Sequence, residues 1–262
     1  MKRTKIRFEN SKIKTIIVLA LIVALGISAM VGTYQALLSN ARTMGMELVR
    51  SYCTDEERNI AVYRTYIRMG LYYLEELENS SYSKQEFTHK MENFLKRTAA
   101  VVGDSDLQSC VMKNGEKIAS NINDKSSLKN YQNTDWYYKA RKAAGDVVFC
   151  NVAEEKSERG ELTVVAAVEP FSGNAIAIFL ERENYQNTHM DLKLMDQGAY
   201  YLFDENGRLL FYDAPFMVDK DATEEYAANM CQKIKEGSLD KTGGGIVDIT
   251  GRKRDIYHCT VS

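Results

Sequence analysis

The sequence predicts an α+β protein in which an N-terminal transmembrane helix continues into a long stalk helix and precedes two tandem antiparallel-sheet modules. Three observations predict this class. An uncharged apolar stretch near the N-terminus has the length of a membrane span, and a proline-free helical pattern continues beyond it. The rest of the chain then repeats one order of strands and helix twice, and the second copy lacks its last strand.

The net charge of the chain is unevenly distributed. The 262 residues have a formal charge of -2, yet residues 1–14 form a basic tail with six lysine or arginine residues and one glutamate. The tail therefore carries +5, and the other 248 residues carry -7. Nucleic-acid affinity comes from lysine and arginine that neutralise phosphates, so an acidic body predicts no nucleic-acid partner.

Residues 15–38 form the predicted membrane span. No charged residue occurs from 15 to 41, and the run 16–31 is almost wholly apolar. A helix needs about 20 such residues to cross the hydrocarbon core. The basic tail places residues 1–14 in the cytoplasm and the bulk of the chain outside the cell membrane, in a single-pass arrangement. A cleaved signal peptide is the alternative, but the run is long for one and no Ala-x-Ala site follows it.

Residues 39–102 are predicted to form long extracytoplasmic helices. In the first helix, apolar residues recur at three- and four-residue steps and align one stripe, which consists of Ile60, Tyr63, Ile67, Leu71 and Leu74. The charged run 55–58 is expected on a solvated face. Ser83 and Glu86 form a capping box, which predicts a second helix that ends near Val102.

Residues 103–181 are predicted to form the first, membrane-distal module. Strands at 107–113 and 116–120 flank an Asn-Gly turn, the strongest short-range hairpin signal. A helix at 135–144 stops at Gly145, which is expected to take the left-handed position after the helix. Three strands follow at 147–152, 162–168 and 175–180.

Residues 182–262 are predicted to form the membrane-proximal module in the same order. A connecting helix at 182–195 leads to a hairpin at 200–212 with its own Asn-Gly turn, a helix at 223–236, and strands at 245–249 and 254–261. The matching positions of the two turns indicate a duplicated architecture. The absent fifth strand predicts that the chain is a fragment of a longer protein.

Three segments of the chain resemble one family. The run Asp135-Trp136-Tyr137-Tyr138-Lys139-Ala140 is similar to the D-W-Y-x-x-A helix of the double Cache (tandem PAS-like) sensor domains of bacterial transmembrane receptors. The strand series at 147–180 and the segment 198–208 resemble further parts of that domain. The resemblance implies that the distal module binds a small molecule and that a second membrane helix relays the signal to a cytoplasmic output domain absent from this chain.

The chain departs from the amino-acid-binding members of that family at three positions. Those members have an arginine and a tyrosine where this chain has Thr134 and Lys129, and the family frequently has an aspartate where this chain has Phe179. Threonine cannot offer the paired donors with which arginine binds a carboxylate. We therefore expect an uncharged or weakly polar ligand and not an α-amino acid.

Five residues are predicted to bind the ligand: Tyr131, Trp136, Tyr137, Asn151 and Lys156. Aromatic faces and hydroxyls of the 136–137 helix are expected to hold the ligand against the sheet, with the acidic loop 154–159 above it as a lid. Two structural alternatives remain open. Trp136 covers the sheet as large aromatics do, and the acidic segment is an exposed charged loop.

No cofactor, metal site or catalytic site is predicted. The five cysteines are scattered and odd in number, and we expect most of them to be small buried side chains. The three histidines lie far apart in the sequence, and no nucleophile–base pair or phosphate-binding motif occurs. The protein is therefore expected not to be an enzyme, although an output domain such as a diguanylate cyclase or histidine kinase can follow in a longer parent protein.

Two functions fit these features. The first is an extracytoplasmic ligand-sensing domain of a bacterial receptor, and the alternative is a membrane-tethered solute-binding protein without signalling output. Leu37, Met44 and Leu48 lie below the modules and are expected to pair with a second copy. We therefore predict a parallel homodimer through residues 35–55.

Overall fold

The structure is a computed structural model that describes the chain in these ranges: 2–102, 107–113, 116–120, 133–157, 160–181, 185, 198–204, 207–214, 219–239, 244–248 and 250–261. Side chains are described from residue 13 onward, except at 116, 120, 151–161, 220 and 244 within these ranges. The predicted connecting helix at 182–195 lies outside the described residues apart from Tyr185.

One helix, α1 (Lys2–Glu78), joins the apolar segment to the stalk over 77 residues. From Ile13 this helix is long and apolar enough to cross a membrane, with a mean hydropathy of 2.6 in its most apolar window. The side chains of that window are exposed, whereas Tyr63, Ile67 and Leu74 at the distal end are buried. The predicted continuity of span and stalk is confirmed.

The second helix, α2 (Lys84–Val102), begins at the predicted capping box. The Ser83 amide donates to the Glu86 carboxylate at 3.0 Å, and the Glu86 amide donates to the Ser83 hydroxyl at 3.3 Å. Each side chain satisfies an amide that the first helical turn leaves unpaired. Phe87, Met91 and Leu95 form the buried face of α2.

The distal module contains a five-stranded antiparallel sheet and one helix. Its strands are β1 (Gln108–Lys113), β2 (Glu116–Ser120), β3 (Val148–Ser157), β4 (Gly160–Val168) and β5 (Ala175–Glu181). They are arranged in the order β2-β1-β5-β4-β3. The helix α3 (Asp135–Lys142) lies between β2 and β3 in the sequence. The predicted hairpin turn at 114–115 lies outside the described residues.

Alternation along β5 divides the sheet into two buried faces. Ile176, Ile178 and Leu180 belong to the core shared with α1 and α2. Ala175, Ala177 and Phe179 belong to the cluster beneath α3. Successive strand residues point to opposite faces of the sheet. Helices cover both faces at β5, and the strand is therefore apolar on both.

Close approach of β5 to the stalk depends on Gly70. A Cβ atom added to Gly70 would overlap the Ile176 side chain. The absence of a side chain at this position lets the distal sheet pack directly on α1.

The proximal module contains four strands and one helix among the described residues. Its elements are β6 (Tyr200–Phe203), β7 (Leu209–Asp213), α4 (Lys220–Lys235), β8 (Gly244–Val247) and β9 (Lys253–Ile256). β6–β7 and β8–β9 form separate two-stranded sheets. In the distal sheet, β5 lies between β1 and β4 and joins the two hairpins, and no described strand takes that place here. The predicted strand at 254–261 ends at Ile256.

The segment 153–157 corrects the predicted loop. It belongs to β3, which continues to Ser157 and pairs there with Gly160 of β4. The prediction of an irregular loop is therefore wrong for residues 154–157.

Two of the five cysteines form a disulfide that the sequence did not predict. Cys53 of α1 pairs with Cys259, 206 residues later, with a Cα–Cα distance of 6.4 Å. Cys110, Cys150 and Cys231 form no disulfide and are buried, as expected for most of the cysteines.

The end of α3 also differs from the prediction. Ala144 adopts a left-handed conformation with φ of 54°, followed by Gly145 with φ of 95°. The sequence assigned the left-handed position to the glycine, whereas Ala144 takes it first. A left-handed conformation costs a non-glycine residue about 1–2 kcal/mol.

Ala144→Gly should therefore raise the free energy of unfolding by about 0.5–1 kcal/mol, because glycine adopts this conformation without a steric cost. Chemical unfolding of the detergent-solubilised chain, followed by circular dichroism, measures the change. Ala143→Gly is the matched control, since Ala143 has an ordinary helical φ of -75°. Equal destabilisation by both variants would contradict the role of Ala144.

Candidate functional site

The candidate site is built on α3, which lies across the sheet beside β3 and β4. Thr134 precedes the helix in an extended conformation, with Asp135 in the first turn and Lys139, Arg141 and Lys142 in the last. This distribution of charge complements the helix dipole. Trp136, Tyr137 and Ala140 face the sheet, whereas Tyr138 is 69% exposed.

The indole of Trp136 is fully buried between α3 and the sheet. It makes edge-to-face contacts with Tyr137 and Phe179, with ring centroids 5.9 and 6.2 Å apart. Its cluster also includes the small sheet residues Ala166, Ala175, Ala177, Cys110 and Cys150. Small side chains on the sheet leave room for one large ring, and Trp136 closes this side of the core.

The hydroxyl of Tyr137 is bonded to the backbone. It donates to the Gly173 carbonyl at 3.1 Å, in the turn between β4 and β5. The Glu169 carboxylate stabilises the same turn by accepting from the Phe171 and Ser172 amides. Hydrogen bonds from the Ser172 side chain and the Ser172 amide, and a smaller contribution from the Phe171 amide, lower the pKa of Glu169. Tyr137 therefore fixes α3 to this turn, a contact that the sequence did not reveal.

The other predicted site residues are described only in part. Tyr131 lies outside the described residues. Asn151 and Lys156 both lie on β3, where Asn151 is opposite Thr163, and their side chains are outside the described set. Only Trp136 and Tyr137 are therefore seen together, and the remainder of the site stays a prediction.

Phe179 is one of the two departures from the resembled family that the structure describes, together with Thr134. It is 4% exposed and packs on the edge of Trp136. A family aspartate would place a carboxylate at this position, and the aromatic ring replaces it with an apolar surface.

Cys150 lies next to this cluster on β3. Burial raises the pKa of its thiol, and the charges of Lys139 and Arg208 only partly offset the effect. A thiol that stays protonated is a poor nucleophile. Cys150 therefore acts as a buried packing residue.

A polar cluster lies between α1 and the proximal module, at residues that the sequence predicted to lie on a solvated face. Asp55 and Arg58 are exposed and form an ion pair at 3.2 Å, but Glu56 is only 6% exposed. The Tyr185 hydroxyl donates to its carboxylate, and the Tyr185 ring stacks on Phe211 with centroids 4.0 Å apart. Docking of the proximal module buries Glu56, and a helical pattern alone does not report that contact.

A buried ion pair also stabilises the β8–β9 turn. Arg254 Nε donates to the Asp248 carboxylate at 2.7 Å, and the Thr250 amide and hydroxyl donate to the same group. Burial alone would raise the pKa of Asp248, but these bonds outweigh it and hold that pKa far below its usual range. No group of three or more potential metal ligands occurs among the described side chains.

Comparison with known proteins relates the fold to solved sensor domains. No family model matches the sequence, and no curated protein matches it. The ligand-binding domain of the Pseudomonas fluorescens chemoreceptor CtaA in complex with L-alanine superimposes with a TM-score of 0.53 at 12% identity, covering 82% of this chain and 88% of that one. The CtaA complex with L-isoleucine gives 0.51 at 14% identity, covering 74% and 76%.

The sensor domain of the V. cholerae histidine kinase DctB is also similar, with a TM-score of 0.46 at 12% identity, covering 75% of this chain and 78% of that one. The two CtaA structures superimpose on this chain with TM-scores above 0.5. The chain therefore has the α+β fold of the Cache-type ligand-binding domains of bacterial receptors, and its resemblance to the double Cache sensors is confirmed at the level of the fold.

Proposed function

We propose that this chain is the membrane-anchored, ligand-sensing part of a bacterial receptor, which binds a small molecule in its distal module. The observation that carries the proposal is the fold, which extends over both modules and is that of solved ligand-binding domains. In the same proposal, a change in the modules is relayed through the stalk to an output domain in the cytoplasm.

Two features of the chain support the proposed topology. The exposed apolar part of α1 fits a membrane span, and the basic tail before it favours a cytoplasmic N-terminus. The Cys53–Cys259 disulfide is in the body of the chain. Disulfides persist in oxidising compartments and are rare in the cytosol, which supports an extracytoplasmic body.

The proposed ligand is uncharged or weakly polar. CtaA was solved with L-alanine and L-isoleucine, but this chain has Thr134, Lys129 and Phe179 where amino-acid-binding members have an arginine, a tyrosine and an aspartate. The buried contact between Phe179 and Trp136 supports an apolar surface where an amine would need a carboxylate. We therefore do not expect this chain to bind an α-amino acid through its charged groups.

The proposed binding region lies at α3 and the adjoining strands. Trp136 and Tyr137 provide its aromatic wall, and Tyr131, Asn151 and Lys156 are the further residues expected around the ligand. The Tyr137 hydroxyl is already bonded to the Gly173 carbonyl. Tyr137 would therefore contribute to the site through its aromatic ring and through the position of the turn that this bond fixes.

A thermal-shift screen of the full chain in nanodiscs against uncharged metabolites tests the proposal. We expect a compound that raises the melting temperature and whose affinity falls about tenfold or more in Tyr137→Phe and Trp136→Phe. Tyr138→Phe is the matched control, because Tyr138 lies on the exposed side of the same helix. A compound that binds equally to wild type and to both site variants would move the site elsewhere.

We also propose that the chain forms a parallel homodimer through residues 35–55. Leu37, Met44 and Leu48 are 63%, 72% and 45% exposed on the stalk. Apolar side chains at steps of seven and four residues along a helix form a seam that a second helix can cover.

Single cysteines at Met44 or Leu48 should therefore give dimers with a bifunctional maleimide in membranes. A cysteine at Arg50 is the matched control, because Arg50 is exposed on another side of the helix. Equal yields at all three positions, or no dimer at Met44 and Leu48, would contradict the parallel seam.

A further inference from the structure

The proximal module is attached to the stalk along one stripe of α1. Gly45 contacts the Tyr257 ring, which would overlap a Cβ atom at that position. Cys53 is bonded to Cys259, and Glu56 accepts the hydrogen bond from Tyr185. These three contacts follow one another along the helix, and two of them hold the segment 257–261.

The segment 257–261 follows β9 and forms no helix or strand. The contact of Tyr185 with Glu56 differs, because Tyr185 is 4% exposed and packs between Tyr63 and Phe211 in the main core. Loss of the disulfide would therefore weaken the attachment of 257–261 to α1 and leave the packed contacts of Tyr185 in place.

The disulfide is accessible to thiols, whereas the other cysteines are not. Cys259 is exposed and Cys53 is partly exposed. Cys110, Cys150 and Cys231 are all buried. Thiol–disulfide exchange requires a thiolate to reach a disulfide sulfur, and exposed disulfides are the labile ones. The only disulfide among the described cysteines thus lies where a reductant can attack it.

We propose that Cys53–Cys259 is a redox-responsive latch that joins the segment 257–261 to the stalk and is opened by a low-molecular-weight thiol or a dithiol protein. Two reductant thiols form one disulfide, and their two electrons and two protons convert the Cys53–Cys259 bond into two thiols. Opening the latch releases Cys259 from Cys53 of α1 and leaves the contact of Tyr257 with Gly45 to hold the segment. The proposal does not depend on the ligand or on the site proposed above.

The test uses the full chain in nanodiscs, treated with millimolar reduced glutathione. Maleimide labelling with mass spectrometry identifies the thiols released, and hydrogen exchange follows residues 253–261. The fluorescence of Trp136, the only tryptophan, reports on the distal module. We expect labelling of Cys53 and Cys259 alone, exchange at 253–261 faster by about tenfold or more, and unchanged Trp136 fluorescence.

A double variant, Cys53→Ser with Cys259→Ser, should show the fast exchange without reductant and should not respond to it. Cys231→Ser is the control and should respond as the wild type does. Three results would each overturn the latch: a folded protein that glutathione does not reduce, reduction without faster exchange at 253–261, or reduction that unfolds the whole chain.

Discussion

Replacing Trp136 with alanine should lower the free energy of unfolding by about 3–5 kcal/mol, the cost of removing a large buried aromatic side chain. Trp136 is 0% exposed and packs against Tyr137 and Phe179. The sheet beneath it has alanines at 166, 175 and 177, which cannot fill the space that the indole leaves. Chemical unfolding of the detergent-solubilised chain measures the loss.

Two further variants separate packing from other effects. Trp136→Phe keeps an aromatic ring and should cost less than the alanine variant. Tyr138→Ala, on the exposed side of the same helix, should change stability by no more than about 0.5 kcal/mol. A loss below about 1 kcal/mol in Trp136→Ala would show that the indole does not close this core.

Replacing Glu56 with glutamine should make the protein more stable at pH 8 than the wild type, by about 1–3 kcal/mol. Burial raises the pKa of Glu56, and the hydrogen bonds from Tyr185 and Asn59 only partly offset it. A group with a raised pKa in the folded state contributes stability that is fully present below its unfolded pKa, near 4.3, and is lost as the pH rises through the folded value. Glutamine accepts the same hydrogen bond without the charge.

Unfolding measured from pH 4 to pH 8 should therefore show a gap between the two proteins that widens as the pH rises. Asp55→Asn is the matched control, because Asp55 is the neighbouring exposed acid, and it should change stability by less than about 1 kcal/mol. Parallel curves for wild type and Glu56→Gln would contradict the burial of an ionisable carboxyl at this position.

Local patterns predicted most of the elements. The stripe on α1, the capping box of α2 and the strands of the distal sheet are all found, because each depends on residues close together in the sequence. The end of α3 shows the limit of such signals. Ala144 and Gly145 both have a positive φ. The general preference for glycine in this conformation predicts it for Gly145 alone.

Contacts between distant segments could not be predicted in the same way. The pairing of Cys53 with Cys259 spans 206 residues, and five cysteines allow many pairings. In the sequence, Glu56 is part of a charged run that predicts a solvated helical face, and only the structure shows that Tyr185 covers it. At the candidate site, the D-W-Y-x-x-A run identified the helix, but only the structure revealed that the Tyr137 hydroxyl bonds to Gly173.

Hydrogen exchange with and without a compound from the screen tests most directly the proposal that an uncharged or weakly polar ligand binds in the distal module. We expect slower exchange on ligand addition at α3 and in β3, with smaller changes in α4 and the β8–β9 hairpin. Protection confined to residues 198–261, or an L-amino acid as the compound that gives the protection, would contradict it.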